Sequence, residues 1–153
     1  QISKDHYECY LKNINLKEFM NKQEASPANI SSSGDFSNTS KNLLKRKIDF
    51  LGLDNIKLVD GSFRETMKKN AFNNVNFMAV LMDCDLYESH KIALPFVWDR
   101  IVLNGYMFLD EYYSFKYPGA KIACEEFFNA NNITPIKNKV RTGEFERWYF
   151  TKT

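Results

Sequence analysis

The chain has 153 residues, enough for one domain that buries roughly 70% of the surface its extended form exposes. It is 44% hydrophobic, 26% charged and 15% aromatic, with a formal net charge of +2, which is the composition of a globular protein. So small a charge argues against a nucleic-acid or anionic-membrane partner, and no apolar run reaches the about 18 residues that a membrane-spanning helix needs.

The N-terminus, QISKDHYECY, has no signal-peptide pattern. Three cysteines, Cys9, Cys84 and Cys124, are scattered and odd in number, which suits a reducing cytosol better than a disulfide framework. Residues 1–38 are the least regular. Leu11 to Met20 has the spacing of one short helix, but Ala25–Asn29 and Ser31–Asp35 carry the Ser, Asn, Pro and Gly content of loop. The expectation is an irregular, mobile segment over 1–38 and a folded unit over 39–153.

From there the signals sharpen. Thr39-Ser40 caps a basic helix over Lys41 to Leu51, which Gly52 ends. Ile56 to Val59 reads as a short strand, and the turn Asp60-Gly61-Ser62-Phe63 opens a helix with Glu65 in its first turn. An apolar run, Phe77 to Met82, then stops at two carboxylates, Asp83 and Asp85. A stretch of helical spacing follows from Leu86 to Ile101, with Pro95 expected to kink or split it. Asn104-Gly105 ends that connection, and a second apolar run, Tyr106 to Leu109, stops at Asp110 and Glu111. Two short apolar runs joined by a helix read as buried parallel strands of a βαβ unit. After an aromatic loop, Tyr112 to Tyr117, Pro118-Gly119-Ala120 opens a helix to about Asn131, with Ile122, Ala123, Phe127 and Phe128 inward. Ile133–Ile136 and Phe145–Thr151 read as a terminal antiparallel hairpin.

In open parallel sheets ligands sit beyond the carboxyl ends of the strands. Asp83 and Asp110, 27 positions apart, fall on adjacent strand tips, with Asp85 and Glu111 beside them. Grouped carboxylates raise each other's pKa unless something positive stands among them, and a hard cation such as Mg²⁺ takes oxygen ligands. The competing reading is local: Asp85 or Ser89 capping the next helix, and Glu111 solvated. Cys84, between two aspartates, is disfavoured as a thiolate and reads as filler; His90 reads as exposed or satisfied in the core.

These segments carry a resemblance. MDCDLYESHKIAL resembles the D-x-D-L-Y-x-S segment of the macrocin O-methyltransferase family, which modifies sugars and related natural products. FLDEYYSFKYPGAKIACEEFF is similar to that family's acidic pair, tyrosine and following P-G-A helix. GDFSNTSKNLLKRKIDFLGLDNIKLVDGSFRETM resembles its segment around the third strand. The resemblance covers Gly34 to the C-terminus. It implies a Rossmann-like class I methyltransferase sheet, S-adenosylmethionine as methyl donor, Mg²⁺ as second cofactor and a small-molecule hydroxyl acceptor. Carried over by position, Asp83, Asp110 and Glu111 are implied as metal ligands, with Asp83 and Asp110 at the reacting centre, and Gly61, Ser62 and Phe63, with Asp83, as the cofactor-binding residues. The family commonly has Asp-Asp where this chain has Asp110-Glu111.

The chain departs from that pattern at the front. It has no G-x-G turn, and nothing before Gly34 reads as two buried strands. The expectation is therefore an α/β sheet without its first two strands, the C-terminal part of a methyltransferase domain, in which Ile56–Val59 lacks a neighbour and Phe77–Met82 has one bare side. The other reading is a non-catalytic methyltransferase-like module that forms a homodimer or binds a partner through that open edge. No His lies in the Ser31–Asp35 loop to serve as a general base.

Overall fold

The computed structural model describes residues 39–68, 71–72, 74–113, 117–138 and 147–153. The N-terminal segment 1–38 and most of the Lys137–Glu144 connection therefore lie outside the described residues.

The first helix, α1 (Lys41–Phe50), begins where the Ser40 hydroxyl accepts the Leu43 N–H at 3.1 Å and ends before Gly52, whose φ of +64° suits glycine. The next segment differs from expectation. Residues 53–60 form no strand and no ladder among the described residues, and Ile56 and Val59 are about half exposed. A strand needs a ladder partner, and apolar alternation alone does not supply one. A single helical turn, α2 (Phe63–Thr66), follows, with the Glu65 carboxylate accepting from the Ser62 N–H at 3.2 Å and its hydroxyl at 2.9 Å.

The centre is the βαβ unit. Strand β1 (Phe77–Met82) leads into α3 (Tyr87–Trp98) and then β2 (Ile101–Leu109), which lies parallel to β1. Helix α4 (Pro118–Asn131) starts at the proline, as its sequence predicts, and ends at Asn132 in the left-handed region. The terminal hairpin is β3 (Ile136–Lys137) against β4 (Trp148–Thr151). The sheet order is β1-β2-β4-β3, which leaves β1 at an edge.

Two expectations about punctuation are corrected. Pro95 does not split α3, which runs through it with the proline on an exposed side. Asn104-Gly105 does not end the connection; it lies inside β2. Between paired positions β1 advances from 77 to 79 while β2 advances from 101 to 106, a bulge of three extra residues. Asn104 takes φ +63° there, and the bulge is pinned by the C-terminal residues: Asn104 N–H donates to the Lys152 carbonyl and Lys152 N–H to the Gly105 carbonyl. The Lys152 ammonium donates to the carbonyls of Trp98 and Ile101 and lies 4.7 Å from the Trp98 ring centre.

Helices α3 and α4 pack on each other and share one core with the inward residues of the sheet. Leu94, Val97, Met107, Leu109, Phe128 and Phe150 are buried there. The opposite face is thinly covered: Tyr106 and Tyr149 stack at 5.1 Å, and Leu81 is 61% exposed. His90 is the one buried polar side chain of the core among the described residues. Its Nδ1 lies 3.0 Å from the Leu86 carbonyl, which can only accept, so Nδ1 carries the proton.

Burial pushes the His90 imidazole below its usual value, against the upward pull of the Leu86 carbonyl and Asp83. The folded state therefore holds it neutral, so stability is full above the unfolded pKa near 6.5 and falls below it, by up to about 1.4 kcal/mol per pH unit. Melting curves between pH 7.5 and 5.5 should show this acid slope, and His90→Gln should flatten it. At the bulge, a Cβ on Gly105 would stand 2.6 Å from Ile101 Cγ2 and 2.7 Å from the Val102 carbonyl. Gly105→Ala is thus expected to cost about 1–3 kcal/mol in denaturant unfolding, the usual range for overpacking.

Candidate functional site

The two acidic clusters meet because β1 and β2 end level. The Asp110 N–H donates to the Met82 carbonyl at 3.1 Å, one rung beyond the paired strands. Past Met82 the chain must turn within three residues to enter α3. The Leu86 N–H closes back on the Cys84 carbonyl, and Asp85 at the centre takes φ +54°. That left-handed backbone is strained for most side chains and tolerated by Asp. Past Leu109, Glu111–Tyr113 coils into one 3₁₀ turn.

The result is a group of carboxylates at the strand tips. One oxygen each of Asp83, Asp85 and Glu111 lie within 4.8 Å of one another, Asp83 exposed and the other two half-buried. Asp110 is outside this trio, although its backbone anchors the same edge. The donor set suits a hard cation. Mg²⁺ holds oxygens at about 2.0–2.1 Å, which spaces them roughly 3–4 Å apart, and Ca²⁺ at about 2.3–2.6 Å allows roughly 5 Å. Side-chain rotation closes the small difference for Mg²⁺, and the exposed position leaves room for the waters that ion keeps.

Cys84 sits between the aspartates and turns inward, 3.4 Å from His90 Nδ1. Burial, then the Asp85 and Asp83 charges, push its thiol up to about 12, so it stays protonated, as its sequence position predicts. His90 is buried and satisfied by the Leu86 carbonyl. Tyr113 stands beside the acidic edge. Burial raises its phenol, followed by the charges of Asp110 and Glu111, and a hydrogen bond with Arg147 pulls it back.

Asp83 also lines a cavity of about 480 Å³ on its other side, with Gly61, Ser62, Phe63 and Arg64 forming one wall and Cys84, Glu88, Ser89 and Ile92 the opposite one. The two walls are tied at the rim by Arg64 and Glu88 at 2.9 Å. Gly61 has φ +126°, and a Cβ there would meet Thr66 Cγ2 at 3.0 Å; the turn is open because it has no side chain. The structure thus brings Gly61, Ser62 and Phe63 to the same cavity as Asp83. Arg64, Glu88 and Arg147 were not singled out by sequence. The first two are charged residues on helix surfaces, where solvation is the default reading, and Arg147 follows a segment without clear alternation.

The two parallel strands of this mixed sheet carry acids at their tips, beside a turn that opens a helix, the edge at which open α/β sheets generally take ligands. The chain belongs to the macrocin O-methyltransferase (TylF) family, whose sequence profile matches residues 22–147. In fold it is similar to the solved structure of the O-methyltransferase NovP, with a TM-score of 0.63 and 20% identity over 82% of this chain. The match takes in 54% of NovP, so the chain spans about half the length of that structure. Eleven solved chains match it, and no curated protein sequence does. The Rossmann-like methyltransferase sheet expected from the sequence is the fold observed.

The turn at Asp85 can be tested apart from any ligand. A β-branched residue is a poor fit to φ +54°, and glycine has no such penalty. Asp85→Val should be about 1–2 kcal/mol less stable than Asp85→Gly in urea unfolding; equal stabilities would mean that the turn relaxes.

Proposed function

We propose that the chain carries the cation site and one wall of the cofactor pocket of an O-methyltransferase that moves a methyl group from S-adenosylmethionine to a hydroxyl of a sugar or related natural product. The observation that carries the reading is the trio Asp83, Asp85 and Glu111, with oxygens within 4.8 Å of one another, placed next to the Gly61–Phe63 cavity. Family membership supplies the reaction class.

In this reading Asp83 and Glu111 hold a divalent cation, with Asp85 completing the set and Asp110 bordering the reacting centre from the same strand tip. The chemistry such a cation supplies is Lewis-acid activation of the acceptor hydroxyl near neutral pH. Gly61, Ser62 and Phe63 hold the nucleoside part of the cofactor: the bare Gly61 lets a flat ring approach the backbone, and Phe63 offers it an aromatic neighbour. Asp83, which lines the cavity and belongs to the trio, fixes the distance between donor and acceptor, and that positioning accounts for much of the acceleration. The protonated Cys84 and the neutral, bonded His90 take no part in proton transfer.

The test is a melting experiment followed by an activity assay. Mg²⁺ at about 100 times its Kd should stabilise the protein by about 2.7 kcal/mol, and Asp83→Asn should abolish that shift. No shift in the native protein, or an equal one in Asp83→Asn, would remove the cation claim. For the reaction, release of S-adenosylhomocysteine with hydroxyl acceptors should stop when the metal is chelated and return when it is restored.

A further inference from the structure

A second cavity lies on the far side of the Gly61–Phe63 turn, and none of Asp83, Asp85, Asp110 or Glu111 lines it. It measures about 400 Å³ and opens between the extended segment 57–61 and the start of β1. Its walls include Phe63, Met67, Phe72, Phe77, Phe96 and Val97. Phe72 and Phe96 meet edge to face, with centroids 6.2 Å apart and planes at 77°, and the Arg100 guanidinium lies 3.9 Å from the Phe96 ring centre. A volume of this size and so apolar a lining match the sites that take drug-sized molecules, which are usually concave, aromatic and fitted with a few polar groups.

The polar side chains among the lining residues are Lys57 and Thr66. The Thr66 hydroxyl is already used, donating to the Ser62 carbonyl at 2.9 Å. Lys57 stands at the rim with its ammonium 5.6 Å from the Phe72 ring centre and no carboxylate partner among the described residues. A cation lining an aromatic-walled cavity favours a ligand that is flat and apolar over most of its area and negative at one end.

We propose that this cavity binds a small aromatic anion, its rings against Phe63, Phe72 and Phe96 and its negative group at Lys57. None of the carboxylates of the acidic edge takes part, so the assignment does not rest on the cation site. The two cavities share Gly61 and Phe63, so an occupant here would touch the same turn from behind.

The probe is 8-anilino-1-naphthalenesulfonate, a flat apolar anion, titrated into the 153-residue chain and followed by fluorescence and calorimetry. The expected result is saturable binding of one molecule per chain. Lys57→Glu, at an exposed position, should raise the Kd about tenfold or more, because it removes an attraction and sets a like charge beside the sulfonate. Leu81→Lys, on the bare strand edge, should leave the Kd within about twofold, a change too small to mark a lost contact. Non-saturable binding, an unchanged Kd in Lys57→Glu, or a loss of binding in Leu81→Lys would each overturn the assignment.

Discussion

The parallel pairing of β1 with β2 is the constraint on which the rest depends. It brings Met82 and Leu109 level, and the rung from Asp110 N–H to the Met82 carbonyl extends that level by one residue. Slip the register by one residue and every inward side chain of a strand turns outward; the carboxylates would also separate along the edge. The register itself is held from below. The bulge at Val102–Gly105 takes up the surplus length of β2, and the backbone of Lys152 clamps it. A residue near the end of the chain thus helps set where the acids stand at the opposite end of the sheet.

The core around this pairing is aromatic. Phe150 lies 5.7 Å from Trp98 and 5.4 Å from Phe128, and Tyr112 lies 5.0 Å from Trp148 and 6.1 Å from Phe128. Pairs of this kind add about 0.5–1.5 kcal/mol each beyond the area they bury. They fasten β4 and the 3₁₀ turn after β2 to the helix layer, and burial there pushes the Tyr112 phenol up to about 12. Since Glu111 precedes Tyr112, the same packing fixes the base of one acidic side chain. Among the described residues, the outer edge of β1 has no such covering. Its six residues include no charge and no proline, the usual protections of an exposed edge, and Met78 is 78% exposed.

What could be read from the sequence were features with local causes. Ser40 and Gly52 bracket α1, Pro118 begins α4, and the apolar run Phe77–Met82 is a strand whatever surrounds it. The acids at the ends of β1 and β2 followed from those assignments. What escaped depended on distant partners. Asn104-Gly105 has the look of a turn, and only the Lys152 backbone, arriving from the C-terminus, makes it a bulge. Ile56–Val59 reads as a strand but meets no ladder among the described residues. Pro95 tells nothing about which side of α3 it faces. The left-handed Asp85, which sets how Asp83 and Asp85 present their oxygens, arises from closing the chain between two packed elements and has no signature of its own.

The placement of the two indoles has a practical consequence. Trp98, near the end of α3, touches Phe127 and Phe150 and lies under the Lys152 ammonium. Trp148, on β4, touches Tyr112 and has Lys137 of β3 5.9 Å from its ring centre. Each therefore sits at a seam where the terminal hairpin meets an earlier element. Ultraviolet emission from this protein is a built-in gauge of whether the hairpin has docked, and it needs no label.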